Sequence, residues 1–529
     1  MVKQLSLILI LAFFALVLNA QEDSETLEVS RIEVNNYTWK ENRVSTNQAN
    51  HSSFEILNNE FENAHEVTEA CLSCHTKRDE EIMATSHWNW ERSEMLEGKG
   101  AVPVGKKNIL NNFCIGVAGS EASCMRCHIG YGWKDQSFDF DEPRNIDCLV
   151  CHDNSGTYEK AKGGAGYPSP TVNLNYVAKN VGLPKRENCG VCHFWGGGGN
   201  NVKHGDMEIA LIDGSRELDV HMAIEGEDMS CVDCHVTEKH QMAGKLYALS
   251  SENKDRATCE QCHTDSPHAN QTINDHNLRV ACQTCHIPEY AKANGTKMIW
   301  DWSTAGVLDD EGNPIHESDA DGNHNYLSIK GTFVYDDHVT PEYLWFNGIA
   351  NHQLITDKID TIPVQMNSLD GSYKDKGILQ KSLHPSKIWP VKVHRGKQVY
   401  DTENMTLIQP KLWSANKGDS AYWMDFDWDM ANKAGMDYLD LPYSGNYDFV
   451  ETEMYWPLNH MVAPKEQSLS CKDCHTRNNG RLAALNDFYL PGRDKNKYLD
   501  GFGIALVVMT LFGVLAHGSI RIFISRKNS

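Results

Sequence analysis

The sequence predicts a mainly α-helical fold with extensive irregular structure, a few short strands and one C-terminal transmembrane helix. Three observations support this fold class. The motif Cys-x-x-Cys-His occurs eight times in 529 residues, and we expect short helices between the copies. The long stretch between the seventh and eighth copies has strand-like and turn-like patterns. The chain ends in an apolar run without formal charge, residues 501–520.

Both ends of the chain indicate export and attachment to a membrane. The first 20 residues have the features of a secretory signal peptide, with Lys3, an apolar stretch and the small residue Ala20 at the cleavage position. The C-terminal apolar run is long enough to cross the hydrocarbon core of a bilayer. Arg521, Arg526 and Lys527 follow it and place the C-terminus in the cytoplasm. We expect a periplasmic body anchored in the cytoplasmic membrane by the C-terminal helix.

The charge balance limits the possible partners. Lys and Arg number 49 against 72 Asp and Glu, which gives a net charge of −23. A surface of this sign repels nucleic acid, so we expect no nucleic-acid partner. It also repels small anions, so a site for an anionic substrate must concentrate positive charge locally.

The repeated motif takes up sixteen of the 17 cysteines. Exported proteins often use cysteine in disulfides, and zinc ribbons use Cys-x-x-Cys pairs, but neither requires a histidine after every second cysteine. The pattern is the attachment signal for c-type haem. It predicts a multihaem c-type cytochrome with eight covalently bound haem c groups, in which two thiols attach each haem and the histidine ligates its iron. In chain order the motif residues are Cys71, Cys74 and His75; Cys124, Cys127 and His128; Cys148, Cys151 and His152; Cys189, Cys192 and His193; Cys231, Cys234 and His235; Cys259, Cys262 and His263; Cys282, Cys285 and His286; and Cys471, Cys474 and His475.

Each iron also needs a second axial ligand, and sixteen of the 24 histidines lie outside the motifs. A lone histidine is usually a surface or core residue, but the need for up to eight ligands makes several of these candidates. Methionine could also ligate iron, although the spacing singles out none. The candidate histidines are His87, His204, His221, His240, His276, His394 and His460.

Two residues outside the motifs suggest a catalytic haem. Lys203 follows four glycines in GGGGNNVKHGD (196–206), and glycine lets a backbone approach a bulky group closely. A neutral lysine amine can bind iron, although a solvated lysine in a flexible loop is the simpler interpretation. Cys114 is the one cysteine outside the motifs, and it is either a buried inert thiol or a nucleophile. Lys106 and Lys107 lie upstream and could help to hold an anion.

The motifs divide the chain into six predicted parts, with no Pro/Gly/Ser-rich linker between them. We therefore expect one body, in which the aromatic-rich part folds over the haems. The sequence DADGN (319–323) could be a calcium loop, but it lacks the EF-hand glutamate, so we expect a turn. The parts are a signal peptide (1–20), a polar N-terminal segment (21–66), a seven-haem block with the catalytic haem (67–290), an aromatic-rich, haem-poor segment (291–465), the eighth haem (466–495) and the transmembrane helix with a short cytoplasmic tail (496–529).

The chain resembles the octahaem tetrathionate reductase family over nearly all of its mature length. The matching stretches are long and specific. They are EACLSCHTK (69–77), ATSHWNW (84–90), CHIGYGWKD (127–135), NIDCLVCHD (145–153), CHFWGGGGNNVKHGD (192–206), ACQTCHIP (281–288), TKMIWDWSTAG (296–306), SKIWPVKVHRGKQ (386–398), TEMYWPLNHMVAP (452–464) and FYLPGRD (488–494).

The resemblance implies roles for three residues. In that family a lysine from elsewhere in the chain ligates the iron of the active-site haem, which implies Lys203 together with the haem on Cys124 and Cys127. Cys114 matches a cysteine that lines this site. Asn200 stands where the family often has aspartate three residues before the lysine, so a possible proton donor is lost and the substrate stays open. Soluble members also lack the membrane tail.

The function implied by the resemblance is the respiratory reduction of tetrathionate to thiosulfate. Reduction of nitrite or hydroxylamine at the same haem, or non-catalytic electron transfer to another protein, are the alternatives. The expected partners are the small inorganic anion, the membrane, and a quinol-oxidising membrane protein or another cytochrome.

Overall fold

The computed structural model describes residues 49–96, 98–245, 256–372 and 385–527. The secretory segment predicted over residues 1–20 lies outside these ranges. The α-helices are α1 (Ala64–Cys74), α2 (Arg78–Met83), α3 (Ser86–Asn89), α4 (Glu121–Cys124), α5 (Leu149–His152), α6 (Leu174–Lys179), α7 (Arg186–His193), α8 (Cys231–Cys234), α9 (Gln271–His276), α10 (Cys282–His286), α11 (Tyr422–Asp425), α12 (Trp428–Tyr438), α13 (Cys471–Cys474) and α14 (Lys497–Lys527). Single 3-10 turns occur at His51–Ser53, Glu55–Asn58, Met125–Cys127, Pro143–Asn145, Ile209–Leu211, Cys259–Gln261, Trp302–Thr304 and Lys465–Gln467.

Most of the helices are one or two turns long, and several are built from the motifs themselves. In α8 and α13 a serine precedes the first cysteine, and an aspartate lies three residues after the serine. The Asp233 carboxylate accepts hydrogen bonds from the Ser230 backbone N–H and hydroxyl, at 2.6 and 2.9 Å. This capping box satisfies the first donors of the helix. Helices this short depend on such caps and on tertiary contacts, because nucleation costs more than a few internal bonds return.

The strands are concentrated between the seventh and eighth motifs. Nine of them form one sheet, in which β13 pairs with four neighbours and β15 runs antiparallel to it from Val391 opposite Pro457 to Asp401 opposite Tyr447. The strands are β1 (Arg92–Leu96), β2 (Gly100–Val104), β3 (Thr237–Glu238), β4 (Gln241–Met242), β5 (Thr296–Asp301), β6 (His316–Ser318), β7 (His324–Leu327), β8 (Gly331–Asp336), β9 (Glu342–Phe346), β10 (Ile349–His352), β11 (Val364–Gln365), β12 (Asn367–Asp370), β13 (Lys387–Asp401), β14 (Thr406–Leu407) and β15 (Tyr447–Pro457).

The main sheet has the order β11-β15-β13-β5-β8-β7-β6, with β9 and β14 also paired to β13. The pairs β11/β15 and β13/β5 are parallel, and the other pairs are antiparallel. The strand-like stretch NYLSIKGTFVY (325–335), which the sequence pattern predicts as a strand pair or an edge strand, contributes to the paired strands β7 and β8. The turn expected at DADGN is also confirmed, because the Asp319 carboxylate accepts the N–H groups of Asp321 and Asn323 at 3.0 and 2.8 Å.

The largest hydrophobic cluster of the described chain packs on this sheet. Its centre is Trp300 and Trp302, which are fully buried and stack with ring centroids 4.8 Å apart. Cys114 lies at the edge of the same cluster, half-buried against it. The aromatic-rich segment thus supplies most of the largest apolar cluster, and the motif-bearing part adds Leu110, Phe113, Ile115 and Val202 to it.

A buried polar network attaches the loop 111–114, which carries Cys114, to the main sheet. Asn112 donates to the His394 carbonyl at 2.9 Å, and its own carbonyl accepts from Gln398 of β13 at 2.6 Å and from the Thr452 hydroxyl of β15 at 2.9 Å. Because unpaired polar groups are costly to bury, this network defines one position for the loop. The sheet therefore sets the location of the unattached thiol.

The predicted fold class is confirmed. Fourteen α-helices, extensive irregular chain and a long apolar C-terminal helix are present among the described residues, and the sheet is larger than the sequence pattern indicated. The main body comprises residues 48–258 and 265–529, and the sixth motif, Cys259–Thr264, belongs to a second unit. The division into six parts stays a prediction.

We expect Asn112→Ala to lower the free energy of unfolding by about 1–3 kcal/mol, because it leaves the buried Gln398 and Thr452 donors short of an acceptor. Denaturant unfolding of the haem-loaded protein measures this. Asn416→Ala, which removes an exposed hydrogen bond to Asp419 of 3.4 Å, is the matched control and should change the free energy by less than about 0.5 kcal/mol. Equal effects from both variants would contradict the role of the network.

Candidate haem sites and active site

Five of the motif histidines lie ring to ring with a second histidine. Two imidazoles that ligate one metal atom from opposite sides have ring centroids about 6 Å apart, because each metal–nitrogen bond is about 2 Å long. The spacing of the five pairs matches this requirement, so the donor set fits iron between the rings. The pairs are His75 with His51 at 6.2 Å, His193 with His87 at 6.2 Å, His235 with His460 at 6.3 Å, His286 with His268 at 6.1 Å, and His475 with His276 at 6.2 Å.

Hydrogen bonds orient several of these rings. The Nδ1 atoms of His235, His475 and His276 lie 2.9, 2.8 and 2.7 Å from backbone carbonyls. A carbonyl only accepts, so Nδ1 carries the proton and Nε2 keeps its lone pair for a metal. This is the tautomer that haem ligation requires.

At two other histidines a carboxylate, not a backbone carbonyl, accepts the hydrogen bond from Nδ1. Nδ1 of His460 lies 3.3 Å from the buried Asp206 carboxylate, which also accepts the His460 backbone N–H at 2.9 Å. Nδ1 of His240 lies 2.9 Å from Glu81. Asp206 ends the VKHGD sequence, so the loop that carries Lys203 also orients a histidine opposite the fifth motif.

The structure separates the predicted second ligands into two groups. His87, His276 and His460 each face a motif histidine, and His240 is close enough to His152 to add to the burial that lowers the pKa of that imidazole. His221 lies beside Asp219, with 3.7 Å between Nδ1 and the carboxylate.

His204 and His394 pack against aromatic rings. The ring centroid of His204 lies 4.7 Å from that of Trp456, and that of His394 lies 5.1 Å from that of Phe113. Burial lowers the pKa of both imidazoles well below the usual value, so both are neutral. Both ring nitrogens of His394 are buried without a hydrogen-bond partner, and its role as a ligand stays a prediction.

The second motif has a different environment. The ring of His128 is fully buried among Trp88, Trp90 and Trp133, with centroid distances of 5.4, 5.4 and 4.8 Å. Its Nε2 lies 2.7 Å from the Trp88 carbonyl, so Nε2 carries the proton here, and Nδ1 has no partner. This is the opposite of the tautomer at His235, His475 and His276. No second histidine ring packs against His128 among the described residues, so ring pairing names no second ligand for this motif.

Lys203 is close enough to the second motif for the Cys127 sulfur to affect its pKa. Burial, together with repulsion from Lys106 and Arg92 and against the opposing effect of the Cys127 sulfur, lowers the pKa of Lys203 to about 8. The Nζ atom lies 4.6 Å from the centroid of the Trp456 ring. A lysine whose neutral amine is this accessible can serve as a metal ligand, unlike a solvated lysine.

The glycine run explains how the loop reaches this place. Gly197 has a φ of +85°, and a Cβ there would come within 2.9 Å of both Phe113 and Val202. A Cβ at Gly196 would lie 3.4 Å from the Lys203 side chain. Glycine therefore lets the loop pack directly on Phe113, the neighbour of Cys114.

Cys114 is close enough to the second motif and to Lys297 to affect both electrostatically. Burial raises the pKa of the Cys124 thiol, and the Cys114 sulfur adds to this rise. Burial and repulsion from Lys330 lower the pKa of Lys297 well below its usual value, and the Cys114 sulfur opposes them. Lys297 is buried with its Nζ 3.9 Å from the Trp300 ring centroid. Sequence reasoning missed Lys297, although it lies in the stretch TKMIWDWSTAG.

Asn200 is placed in the same loop, but its amide is already engaged. Its side-chain carbonyl accepts the backbone N–H of Ile209 at 2.9 Å. This bond orders the loop that carries Lys203, and the amide cannot act as a carboxylic acid.

Comparison with a solved structure identifies the family. The crystal structure of octaheme cytochrome c from Shewanella oneidensis has a TM-score of 0.74 and 43% sequence identity, covering 81% of this chain and 94% of that chain. The chain belongs to the octahaem cytochrome c family. The family model described as "Cytochrome c bacterial" also matches residues 297–478 of this octahaem cytochrome. An uncharacterized protein from Archaeoglobus fulgidus is 23% identical over 227 residues, which are 34% of this chain and 75% of that protein.

Family membership confirms covalently bound haem c in this octahaem cytochrome, as the motifs predict. The number of eight haems, the individual ligands and the substrate stay predictions. Sequence reasoning did not single out His51 and His268, whose rings face His75 and His286. Neither has a local signal, since His51 lies in the polar N-terminal segment and His268 in the short loop after the sixth motif.

We expect His268→Ala to convert one haem of this octahaem cytochrome from six-coordinate low-spin to high-spin, because His286 loses the imidazole that faces it. Absorption and electron paramagnetic resonance spectra measure the change. His338→Ala, at an exposed histidine bonded to Glu289, is the control. A fully low-spin His268→Ala spectrum would remove His268 from the ligand set.

Proposed function

We propose that this octahaem cytochrome is a respiratory reductase of a small inorganic anion and that tetrathionate, reduced to thiosulfate, is the substrate. The proposal rests on one observation. Basic side chains lie near the free thiol of Cys114, in a chain whose net charge is −23. We call Arg92, Lys106 and Lys330, which act electrostatically on Lys203 and Lys297, the cationic group. It meets the requirement that an acidic protein must concentrate cations to hold an anion.

Burial and repulsion from Lys106 and Arg92 lower the pKa of Lys203, and burial and repulsion from Lys330 lower the pKa of Lys297. These two lysines are thereby held toward the neutral form. No carboxylate pairs with Lys106 or Lys330 in the part of the chain that the structure describes. The charges of Lys106 and Lys330 therefore remain available to a dianion such as tetrathionate.

The haem of this site would be held by Cys124 and Cys127, with Lys203 and His128 as the iron ligands, and the His128 Nε2 would have to leave the Trp88 carbonyl to serve. Bound haem supplies one-electron redox chemistry. Lys203 contributes a neutral amine, and burial among Trp456 and the glycine loop holds it there. A lysine ligand would make this haem chemically different from the haems with two histidine ligands. Such a difference is expected if this haem is the reactive one and the others carry electrons.

Cys114 is the group that acts on the substrate. Its thiolate attacks the central sulfur–sulfur bond of tetrathionate, which forms a cysteinyl thiosulfate adduct and releases one thiosulfate. Two electrons then cleave the new sulfur–sulfur bond, which releases the second thiosulfate and restores the thiolate. The reaction consumes two electrons and no proton. It therefore needs no proton donor at position 200, where the Asn200 amide is hydrogen-bonded to Ile209.

The C-terminal helix provides the attachment to the membrane. α14 is 31 residues long, about 46 Å at 1.5 Å per residue, and its apolar side chains are exposed. A helix of this length and composition is typical of a membrane span, with Arg521 and Arg526 at its cytoplasmic end. A quinol-oxidising membrane protein is the proposed electron donor for the periplasmic body.

We expect Lys203→Ala to change the spectrum of one haem and to lower turnover at least about 100-fold. Removing a residue that only supports a metal ligand costs about 10–100-fold, and removing the ligand itself should cost more. Steady-state reduction with a reduced viologen as donor measures turnover. Lys433→Ala, which removes an exposed lysine paired with Asp437, should leave both unchanged. A wild-type spectrum and rate in Lys203→Ala would refute the ligand assignment.

We expect Cys114→Ser to abolish tetrathionate reduction, by more than about a thousandfold, because a hydroxyl does not form the sulfur adduct. Reduction of nitrite and hydroxylamine requires no thiol and should persist. Steady-state rates of the Cys114→Ser protein on tetrathionate, nitrite and hydroxylamine give this comparison within a single variant. Equal losses on all three would make Cys114 structural and remove the support for a sulfur substrate.

A further inference from the structure

The segment 488–494 joins the eighth motif to the membrane helix, and we call it the strap. The Pro491 carbonyl accepts the Nδ1–H of His475 at 2.8 Å, so the strap bonds directly to a motif histidine. Gly492 has a φ of +85°, and a Cβ there would lie 2.7 Å from the His475 carbonyl. The strap thus lies closely against His475 on two sides.

Arg493 makes the strap rigid. Its guanidinium donates to the carbonyls of Leu482 and Phe488, each at 2.8 Å, and pairs with Asp494 at 2.7 Å. Charge-assisted bonds of this kind hold a segment in one geometry. The position of His475 is therefore coupled to the end of the strap.

Very little chain separates the strap from α14. The helix begins at Lys497, and the Asn496 side chain caps it by accepting the N–H groups of Tyr498 and Leu499, both at 3.1 Å. Six residue steps lead from Pro491 to Lys497, which span at most about 20 Å when fully extended. His475 is consequently held close to the start of the membrane helix.

Two exposed apolar side chains lie among the polar residues around the paired His276. Ile273 and Leu278, on either side of it in sequence, are 40% and 70% exposed. In the strap Tyr489 is 50% exposed, and Tyr498 at the start of α14 is 90% exposed. We call these four side chains the apolar rim. All four belong to segments that meet at the His276–His475 pair or lead from it to α14, and exposed apolar side chains that form a patch indicate a contact with a partner.

We infer that the strap holds the His276–His475 pair at the membrane surface and that the apolar rim docks a quinol-oxidising membrane protein. This rests on the proposed membrane anchor and names its electron-entry face. The partner oxidises quinol to quinone with release of two protons and two electrons. Those two electrons equal the number that one tetrathionate consumes. We favour a membrane protein as the partner because α14 keeps the apolar rim at the membrane surface, where a quinol-oxidising membrane protein also lies.

A pair of glycine variants tests the positioning by the strap. Gly492→Ala introduces a Cβ against His475, whereas Gly445→Ala has a similar φ of +89° with no atom within 4 Å. We expect Gly492→Ala to shift the low-spin resonance and midpoint potential of one haem, and Gly445→Ala to shift neither. Haem content by mass spectrometry shows that both proteins are loaded. Identical spectra and potentials in the two variants would overturn the positioning role.

A linker insertion tests the docking face in the full chain. Twenty Gly/Ser residues placed between Lys495 and Asn496 add an r.m.s. reach of about 25 Å and free the body from the membrane. In spheroplasts of the producing organism given duroquinol, haem reduction should slow about tenfold. Reduction by dithionite and viologen-driven tetrathionate turnover should stay at the wild-type rate. An unchanged duroquinol rate would overturn the proposal.

Two further results separate this inference from its alternatives. Vesicles of phosphatidylethanolamine and phosphatidylglycerol that hold only the full chain and duroquinol should show no rapid haem reduction. Reduction there as fast as in spheroplasts would overturn the partner protein. Loss of tetrathionate turnover in the wild-type chain with viologen would contradict the proposed function alone, because haem reduction by quinol is read without substrate.

Discussion

The fixed separation of about 6 Å between two imidazoles that share one iron is the constraint on which the rest of the structure depends. Five histidine pairs satisfy it, and their members come from positions up to 225 residues apart, as in His235 and His460. Such pairs are non-local, so the intervening chain must be placed by caps, turns and side-chain hydrogen bonds. This accounts for the one- and two-turn helices and the large irregular fraction of the motif-bearing part.

The main sheet meets a different need. Trp300, Trp302 and their neighbours form the largest apolar cluster, on which the loop of Cys114 packs. The sheet also carries polar residues that position this loop, since Gln398 and Thr452 hold Asn112. The Cys114 thiol is thereby supported by strands, whereas Lys203 lies in a glycine-rich loop packed on Phe113.

Local patterns predicted much of this protein, but pairing between distant residues could not be predicted from them. The motif histidines, the strand pair β7 and β8, the DADGN turn and α14 each follow from adjacent residues. His268 carries no such signal, because what distinguishes it is the ring of His286 opposite. His204 and His394 looked equivalent to the other candidates in sequence and pack instead against Trp456 and Phe113.

The sequence by itself determined covalent haem attachment, the acidic balance and the apolar C-terminal helix, since these depend on residue type and spacing along the chain. Only the tertiary structure decided which histidines face each other, that Asn200 is engaged by Ile209, and that Lys297 lies near Cys114. The physical reason is that ligation and electrostatics act through space over a few ångströms, and folding alone brings these residues within that range.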